Sequence, residues 1–271
     1  MPNTVNDIIQ MKSREKITVL TGYDSTMATL CDKVDVILVG DSAGMVMLGY
    51  DDTRDVTMDD MTRFTTAVKN AKTNSLIVAD LSINSYENED SAITNSKRLV
   101  QAGAHAVKLE GGKEIADIIK AVVDSGIPVM GHLGLLPQTA EKYSVQAKKS
   151  SDAVNLLEDA KILEKAGVFS IVFEMVTSNV AKIITESVKV PTIGICSGIN
   201  CDGQVLVVHD MLGMFEKIKP KFAKRYLNLS EDIRNAINSY VNDVKEEKFP
   251  EEDHTFSMEK EELEKLEKEI G

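Results

Sequence analysis

Short apolar runs alternate with longer amphipathic ones along most of the chain. Eight runs rich in Val, Ile, Leu and Ala read as strands, at residues 17–21, 36–39, 75–79, 106–109, 128–131, 170–173, 192–195 and 205–208. Helix-length segments lie between most of them, at 58–71, 91–102, 113–124, 152–166 and 179–187. Strands and helices in strict alternation predict a parallel sheet. Eight such units in 271 residues predict the α/β class and a (β/α)8 TIM barrel, whose usual length is roughly 250 residues. A doubly wound open sheet is the structural alternative. After Pro220 the pattern becomes helical only, with a run near 232–248, a break at Pro250 and a last segment in which Leu263, Leu266 and Ile270 share a face. This predicts one catalytic barrel domain over 1–256, with additional C-terminal helices, and a charged helical tail over 257–271. The tail reads as a solvated terminal helix or as a segment docked on a partner subunit.

An internal echo accompanies the alternation. Ala102-Gly103-Ala104 leads after seven residues from Gly103 to Glu110, and Ala166-Gly167-Val168 leads at the same spacing to Glu174. Each stretch continues through a helix to a Pro-led strand, Pro128-Val129-Met130-Gly131 and Pro191-Thr192-Ile193-Gly194. Tandem barrel units give this pattern, and so does the shared helix–Gly–strand grammar of any α/β chain.

Composition narrows the function classes. A formal net charge of −12 argues against nucleic acid, which demands a basic face. The excess is uneven: residues 245–271 carry eleven acidic and five basic side chains. Cys31, Cys196 and Cys201 form no CxxC pair, which points to a reducing, cytoplasmic setting and away from thiolate metal sites. The N-terminal segment has no apolar h-region, and no apolar run is long enough to span a membrane. His105 falls at the start of a strand, on the far end of the barrel from any active rim, and reads as packing. His209 follows the last strand, and lining the site and a structural hydrogen bond are equally good readings of it. The basic run Lys217, Lys219, Lys221, Lys224 and Arg225 reads as a solvated face or subunit contact.

Barrel active sites are built at the C-terminal ends of the strands. Here successive strands end in Gly40-Asp41-Ser42, in Asp80, in Lys108-Leu109-Glu110, in Gly131-His132 and in Glu174. One such Asp reads equally well as a helix cap. Five polar strand ends in succession favour a site. Asp41, Asp80 and Glu110 offer hard oxygens, which suit Mg2+. A Mg2+ with open positions chelates a 2-keto acid and acidifies the neighbouring C–H. A carboxylate then takes that proton, and a lysine balances the charge.

Further motifs are Thr21-Gly22-Tyr23-Asp24, Leu38-Val39-Gly40-Asp41-Ser42, Val56-Thr57-Met58, Ala79-Asp80-Leu81, Val107-Lys108-Leu109-Glu110-Gly111-Gly112, Gly131-His132-Leu133-Gly134-Leu135, Asp202-Gly203-Gln204-Val205-Leu206-Val207 with His209-Asp210, and Pro220-Lys221-Phe222-Ala223-Lys224. In this order the chain resembles the ketopantoate hydroxymethyltransferase family over about residues 5–256. The resemblance implies transfer of a hydroxymethyl group from 5,10-methylenetetrahydrofolate to 3-methyl-2-oxobutanoate, giving 2-dehydropantoate for pantothenate and coenzyme A synthesis, through a Mg2+-stabilised enolate. It implies Asp41 and Asp80 as metal ligands with Glu110 supporting them, Ser42 and Lys108 holding the keto acid, Glu174 as the base, and His132 beside the substrate. It also implies a homo-oligomer, a decamer. The chain departs from the family pattern at Leu136, at residues 140–148, at Ser82-Ile83 and at Cys196-Ser197-Gly198. These departures fall on loops of the folate side or of a lid, while the acids and Lys108 are intact. Two alternatives remain: a Mg2+-dependent C–C lyase of the phosphoenolpyruvate mutase/isocitrate lyase type, and a catalytically silent scaffold barrel. The lyases use a loop cysteine that is missing from the matching segment here.

Overall fold

The computed structural model describes residues 3–217 and 223–271, so Lys219, Lys221 and the Pro220-Lys221-Phe222 part of the last motif lie outside the described residues. Eight parallel strands close into a barrel in chain order: β1 Ile17–Thr21, β2 Val36–Val39, β3 Leu76–Asp80, β4 Ala106–Glu110, β5 Val129–Gly134, β6 Ser170–Glu174, β7 Thr192–Ile195 and β8 Gly203–Leu206. The closing pair is β1 with β8, in the register Ile17↔Gly203 to Leu20↔Leu206. The open doubly wound sheet is therefore not the fold; the (β/α)8 barrel is.

The helices are α1 Val5–Met11, α2 Ser25–Leu30, α3 Met58–Asn70, α4 Glu89–Ala102, α5 Ala116–Asp124, α6 Ser150–Ala166, α7 Ser178–Ser187, α8 Val208–Leu212, α9 Leu229–Lys245 and α10 Lys260–Ile270. Side-chain caps start several of them: Thr57 with Asp60 and Asn88 with Ser91 form reciprocal capping boxes at α3 and α4. The two halves of the sequence echo occupy matching places in the barrel, which both readings of the echo allow. Gly103 (φ +119°) ends α4 and Gly167 (φ +100°) ends α6, in the left-handed conformation that glycine adopts without strain. Each turn feeds the next strand, β4 or β6.

Side-chain parity separates two apolar layers. Val36, Leu38, Leu76, Val78, Ala106, Met130 and Val172 fill the barrel interior, with Ile8 of α1 in the same cluster. Their neighbours Ile37, Val39, Ile77, Ala79, Val107, Leu109, Ile171 and Phe173 face the helices and pack with Leu99, Ile119, Leu163 and Ile184. Alternation along a strand produces this division. It also sets the active rim, because Asp80, Lys108, Glu110, His132 and Glu174 continue the inward-facing series of their strands.

That continuation explains where the strand boundaries differ from the sequence pattern. Apolar runs stop at the first polar residue, whereas the hydrogen-bonded ladder continues through Asp80, Glu110, His132 and Glu174. β8 starts at Gly203 and ends at Leu206, and Val208 already opens α8. A loop over residues 196–202, with no helix, joins β7 to β8.

Candidate active site

Register brings the rim side chains together. Asp80 is the cross-strand partner of Lys108, and Glu110 that of His132. Lys108 Nζ lies 2.8 Å from Asp80 Oδ1 and 4.0 Å from Glu110 Oε1. The His132 ring spans two acids, with Nδ1 3.2 Å from Glu110 Oε1 and Nε2 3.4 Å from Glu174 Oε2, without the alignment of a hydrogen bond at either nitrogen. Asp41 follows β2, and its backbone N–H donates to Asp80 Oδ2 at 3.2 Å. Ser42 Oγ and Tyr23 Oη are 2.8 Å apart. The structure thus places Asp41, Ser42, Asp80, Lys108, Glu110, His132 and Glu174 on the lining of one cavity of about 690 Å3.

Gln138 was not singled out by the sequence, yet it ties the rim together. Its side-chain amide donates to Asp41 Oδ2 and to the Leu81 carbonyl, each at 2.8 Å, and its backbone N–H donates to Glu110 Oε2 at 3.1 Å. Tyr86 Oη donates to Gln138 Oε1 at 2.6 Å. A glutamine beyond a strand end carries no sequence signal of this kind, since only the path of the chain after β5 aims it inward.

Electrostatics divide the cluster. Burial, then the charges of Asp80 and Glu110, push the Asp41 carboxyl well above the usual carboxylate range. Burial raises Asp80 too, against the opposing pull of Lys108. Burial also works against charge on Glu110, but His132 and Lys108 outweigh it and hold this acid below its ordinary value. For Lys108, burial is more than offset by Asp80, Glu110 and Asp41, so the ammonium is favoured. Burial would lower His132, but Glu110 and Glu174 overcome it and bring the imidazole up to about 9.

The donor set fits a hard divalent cation. Asp41 and Asp80 are buried acids whose carboxyls burial pushes up, with the Lys108 ammonium 2.8 Å from Asp80 Oδ1 and the neutral Gln138 amide on Asp41 Oδ2. Among the described residues no group of three or more His, Cys, Asp or Glu side chains is arranged to hold a metal. Two carboxylates, Asp41 and Asp80, would leave positions for water and substrate oxygens, as Mg2+ prefers.

The other histidines behave as structural groups. His105 Nδ1, at the N-terminal end of the barrel, accepts from the Ile77 N–H at 3.0 Å. The buried His209 ring stacks at a tilt on Tyr23, centroids 5.6 Å apart, and is absent from the cavity lining. The divergent residues 140–148 meet the chain just after β6: the Gln146 N–H donates to the Met175 carbonyl at 2.7 Å, and Tyr143 and Val145 reach the cavity. In the Cys196-Ser197-Gly198 turn, Ser197 Oγ donates to the Phe173 carbonyl at 2.7 Å.

An acid–base enzyme on a closed parallel α/β barrel is the class that this fold and rim define. A sequence profile described as Ketopantoate hydroxymethyltransferase matches residues 2–252. The 3-methyl-2-oxobutanoate hydroxymethyltransferase of Nitrosopumilus maritimus (strain SCM1) is 58% identical over 278 residues, covering 100% of both chains. That of Cenarchaeum symbiosum (strain A) is 54% identical over 252 residues, covering 92% of this chain and 96% of its own. The chain belongs to the ketopantoate hydroxymethyltransferase family and is a transferase enzyme.

Solved structures add the fold alone. Phosphoenolpyruvate phosphomutase from Streptomyces platensis subsp. rosaceus superposes with a TM-score of 0.62 at 14% identity, over 94% of this chain and 92% of that one. A 2,3-dimethylmalate lyase, described as a PEP mutase/isocitrate lyase superfamily member, gives 0.60 at 13% identity over 100% of both.

Proposed function

We propose that the enzyme moves a hydroxymethyl group from 5,10-methylenetetrahydrofolate to C3 of 3-methyl-2-oxobutanoate, forming 2-dehydropantoate for pantothenate and coenzyme A synthesis. The observation that carries this reading is the placement of Glu174 on β6, across His132 from the Asp41–Asp80–Lys108 cluster. The cluster suits the carboxylate and keto oxygens of the substrate, and Glu174 is left to meet its C3–H. Asp41 and Asp80 would hold Mg2+, with Glu110 supporting them through its hold on Gln138, Lys108 and His132. When bound, Mg2+ would polarise the keto group and acidify C3–H.

Glu174 takes the C3 proton, and the resulting carbanion forms the new C–C bond to the donor's methylene carbon; that carbon's two bonds to folate nitrogen break, water supplies the hydroxyl group, and the proton from C3 and one from water go to the two nitrogens of the departing tetrahydrofolate. Lys108 and Ser42 hold the keto acid, and the Lys108 ammonium offsets the charge that develops on the keto oxygen. His132, favoured as the imidazolium, lies within reach of Glu174 and steadies its carboxylate. The low dielectric of the buried rim strengthens each of these effects.

The larger assembly belongs to the same reading. Residues 1–256 act as the catalytic unit and 257–271 as an appendage of a homo-oligomer, a decamer by family likeness. Support comes from Ile233, Ile237, Tyr240, Val241 and Val244 of α9, which present one apolar stripe to the surface. No described helix is long and apolar enough to cross a membrane.

The test is proton NMR of 3-methyl-2-oxobutanoate in D2O with Mg2+, with and without the folate. Loss of the C3 proton without folate, and 2-dehydropantoate only with it, is the expected result. No exchange under either condition would sink the proposal.

A further inference from the structure

The cavity is larger than a small keto acid needs. Its acidic and basic groups gather on β2 to β6, whereas the lining from β7 and β8 onward changes character. There Val207 and Phe215 are apolar, and the same cavity is lined by Met45 and Val46 from the π-helical turn Gly44–Leu48 after β2 and by Tyr143 and Val145 from residues 140–148.

One charged group stands among these side chains. Asp210, on α8 just beyond β8, lines the cavity and is only 9% exposed, and its Oδ1 has no hydrogen-bond partner among the described residues. The nearby Arg225 guanidinium is turned to the Phe215 carbonyl, to which it donates at 3.1 Å. Burial raises the Asp210 carboxyl, and Arg225 opposes this only through its charge. Native proteins seldom leave a buried acceptor unanswered unless a ligand or water answers it.

The chemistry of the answering group is constrained. The keto acid is an anion, so its carboxylate is repelled by Asp210. A second metal lacks ligands, because no other acidic side chain of the cavity lies on β7 or β8. Those exclusions leave a hydrogen-bond donor, and between apolar walls a flat molecule with N–H donors on one edge fits the place better than water alone. A carboxylate takes two adjacent N–H groups of a planar heterocycle side by side, as it takes a guanidinium.

We infer that Asp210 recognises the pterin ring of the folate donor, its carboxylate accepting from the 2-amino and N3–H groups while the apolar walls cover the ring faces. The inference rests on the donor assignment made above. It places the ring on the β7–β8–β1 side of the cavity, toward Glu174 at the end of β6 and Met175 just after it, where the one-carbon unit must meet C3 of the keto acid. It also gives the divergent residues 140–148 a part in donor binding, since Tyr143 and Val145 line the same cavity.

The experiment is calorimetric titration of the full-length enzyme, with keto acid and Mg2+ present, by tetrahydrofolate and by its 2-desamino analogue. Wild type is expected to bind tetrahydrofolate about tenfold or more tightly than the analogue, the worth of a charge-assisted hydrogen bond. Asp210→Asn is expected to erase that preference, both ligands then binding about as weakly as the analogue binds wild type. Equal binding of the two ligands by wild type overturns the inference without recourse to any variant, and so does a folded Asp210→Asn enzyme that keeps the preference. If wild type exchanges the C3 proton yet binds neither ligand, the donor assignment falls and the pterin site falls with it. Tetrahydrofolate binding that ignores the 2-amino group removes the pterin site alone.

Discussion

Glu174 and His105 show how titratable residues take opposite roles at the two ends of a barrel. Glu174 ends its strand at the cavity, where a carboxylate can take a proton. The Glu174→Gln amide cannot, so deuterium exchange at C3 should fall by about 10²–10⁴-fold. Binding of the keto acid, followed by calorimetry, should change only a few-fold; an exchange rate equal to wild type would remove Glu174 as the base. His105 is instead held as a neutral acceptor for the Ile77 N–H, and burial lowers it from its ordinary 6.5. Below about 6.5 the unfolded chain takes up a proton that the folded chain resists, so stability is lost as pH falls through that range. His105→Asn keeps an acceptor and removes the titration. Its urea midpoint should therefore drop less than that of wild type between pH 7.5 and 5.5.

The site residues were legible in the sequence for a physical reason. A polar residue that closes an apolar run on the inward parity of a barrel strand has only the rim to occupy, which located Asp80, Glu110, His132 and Glu174. Lys108 was legible because it interrupts an apolar run two residues before Glu110. Gln138, Tyr86 and Asp210 were not legible as cavity or rim groups. They lie beyond strand ends, where the direction of a side chain depends on how the loop packs.

At the scale of elements, the strand–helix interface fixes the height of the rim. Gly131 faces outward from β5, and a Cβ there would lie 2.9 Å from Leu163 Cδ1 of α6 and 3.5 Å from Val168 Cγ1. Gly131→Ala should push β5 and α6 apart at a cost of about 1–3 kcal/mol. Because His132 is the next residue, the shift should also reach the rim. Leu163→Ala opens room for the added methyl, so the double variant should be more stable than the sum of the single effects by about 0.5 kcal/mol or more. Chemical denaturation of the four proteins measures this, and strict additivity would show that the contact is not the cause. Three strands, β1, β2 and β7, have the limits their apolar pattern gave. β8 was displaced because Gly203 and the exposed Gln204 belong to the ladder without being apolar.

At the scale of the whole molecule, the barrel ends before the chain does. Every residue from Glu231 to Gly271 is exposed, including large apolar side chains on α9 and α10. A surface of this kind associates. Light scattering should return a mass several times that of one chain, and Ile237→Glu with Val241→Glu should lower it while the barrel stays folded. A monomeric wild type would remove the oligomer from the proposal. The sequence showed the shared face of Leu263, Leu266 and Ile270 but not its extent, because α9 reads as an ordinary amphipathic helix until its neighbours are known.

The acids crowded around Lys108 also set a trade between durability and use. Asp41 resists ionisation in the fold, so without a cation it draws stability from the protein increasingly as pH rises above its ordinary 3.8. An inactive Asp41→Asn enzyme should melt above wild type in a chelator, by about 2–4 °C for each kcal/mol recovered. Saturating Mg2+ should reverse the order, because only wild type then gains the free energy of binding. Melting curves taken across Mg2+ concentrations would therefore read as binding isotherms. The same residue that weakens the empty protein would be the one through which its mineral supply governs how long it lasts.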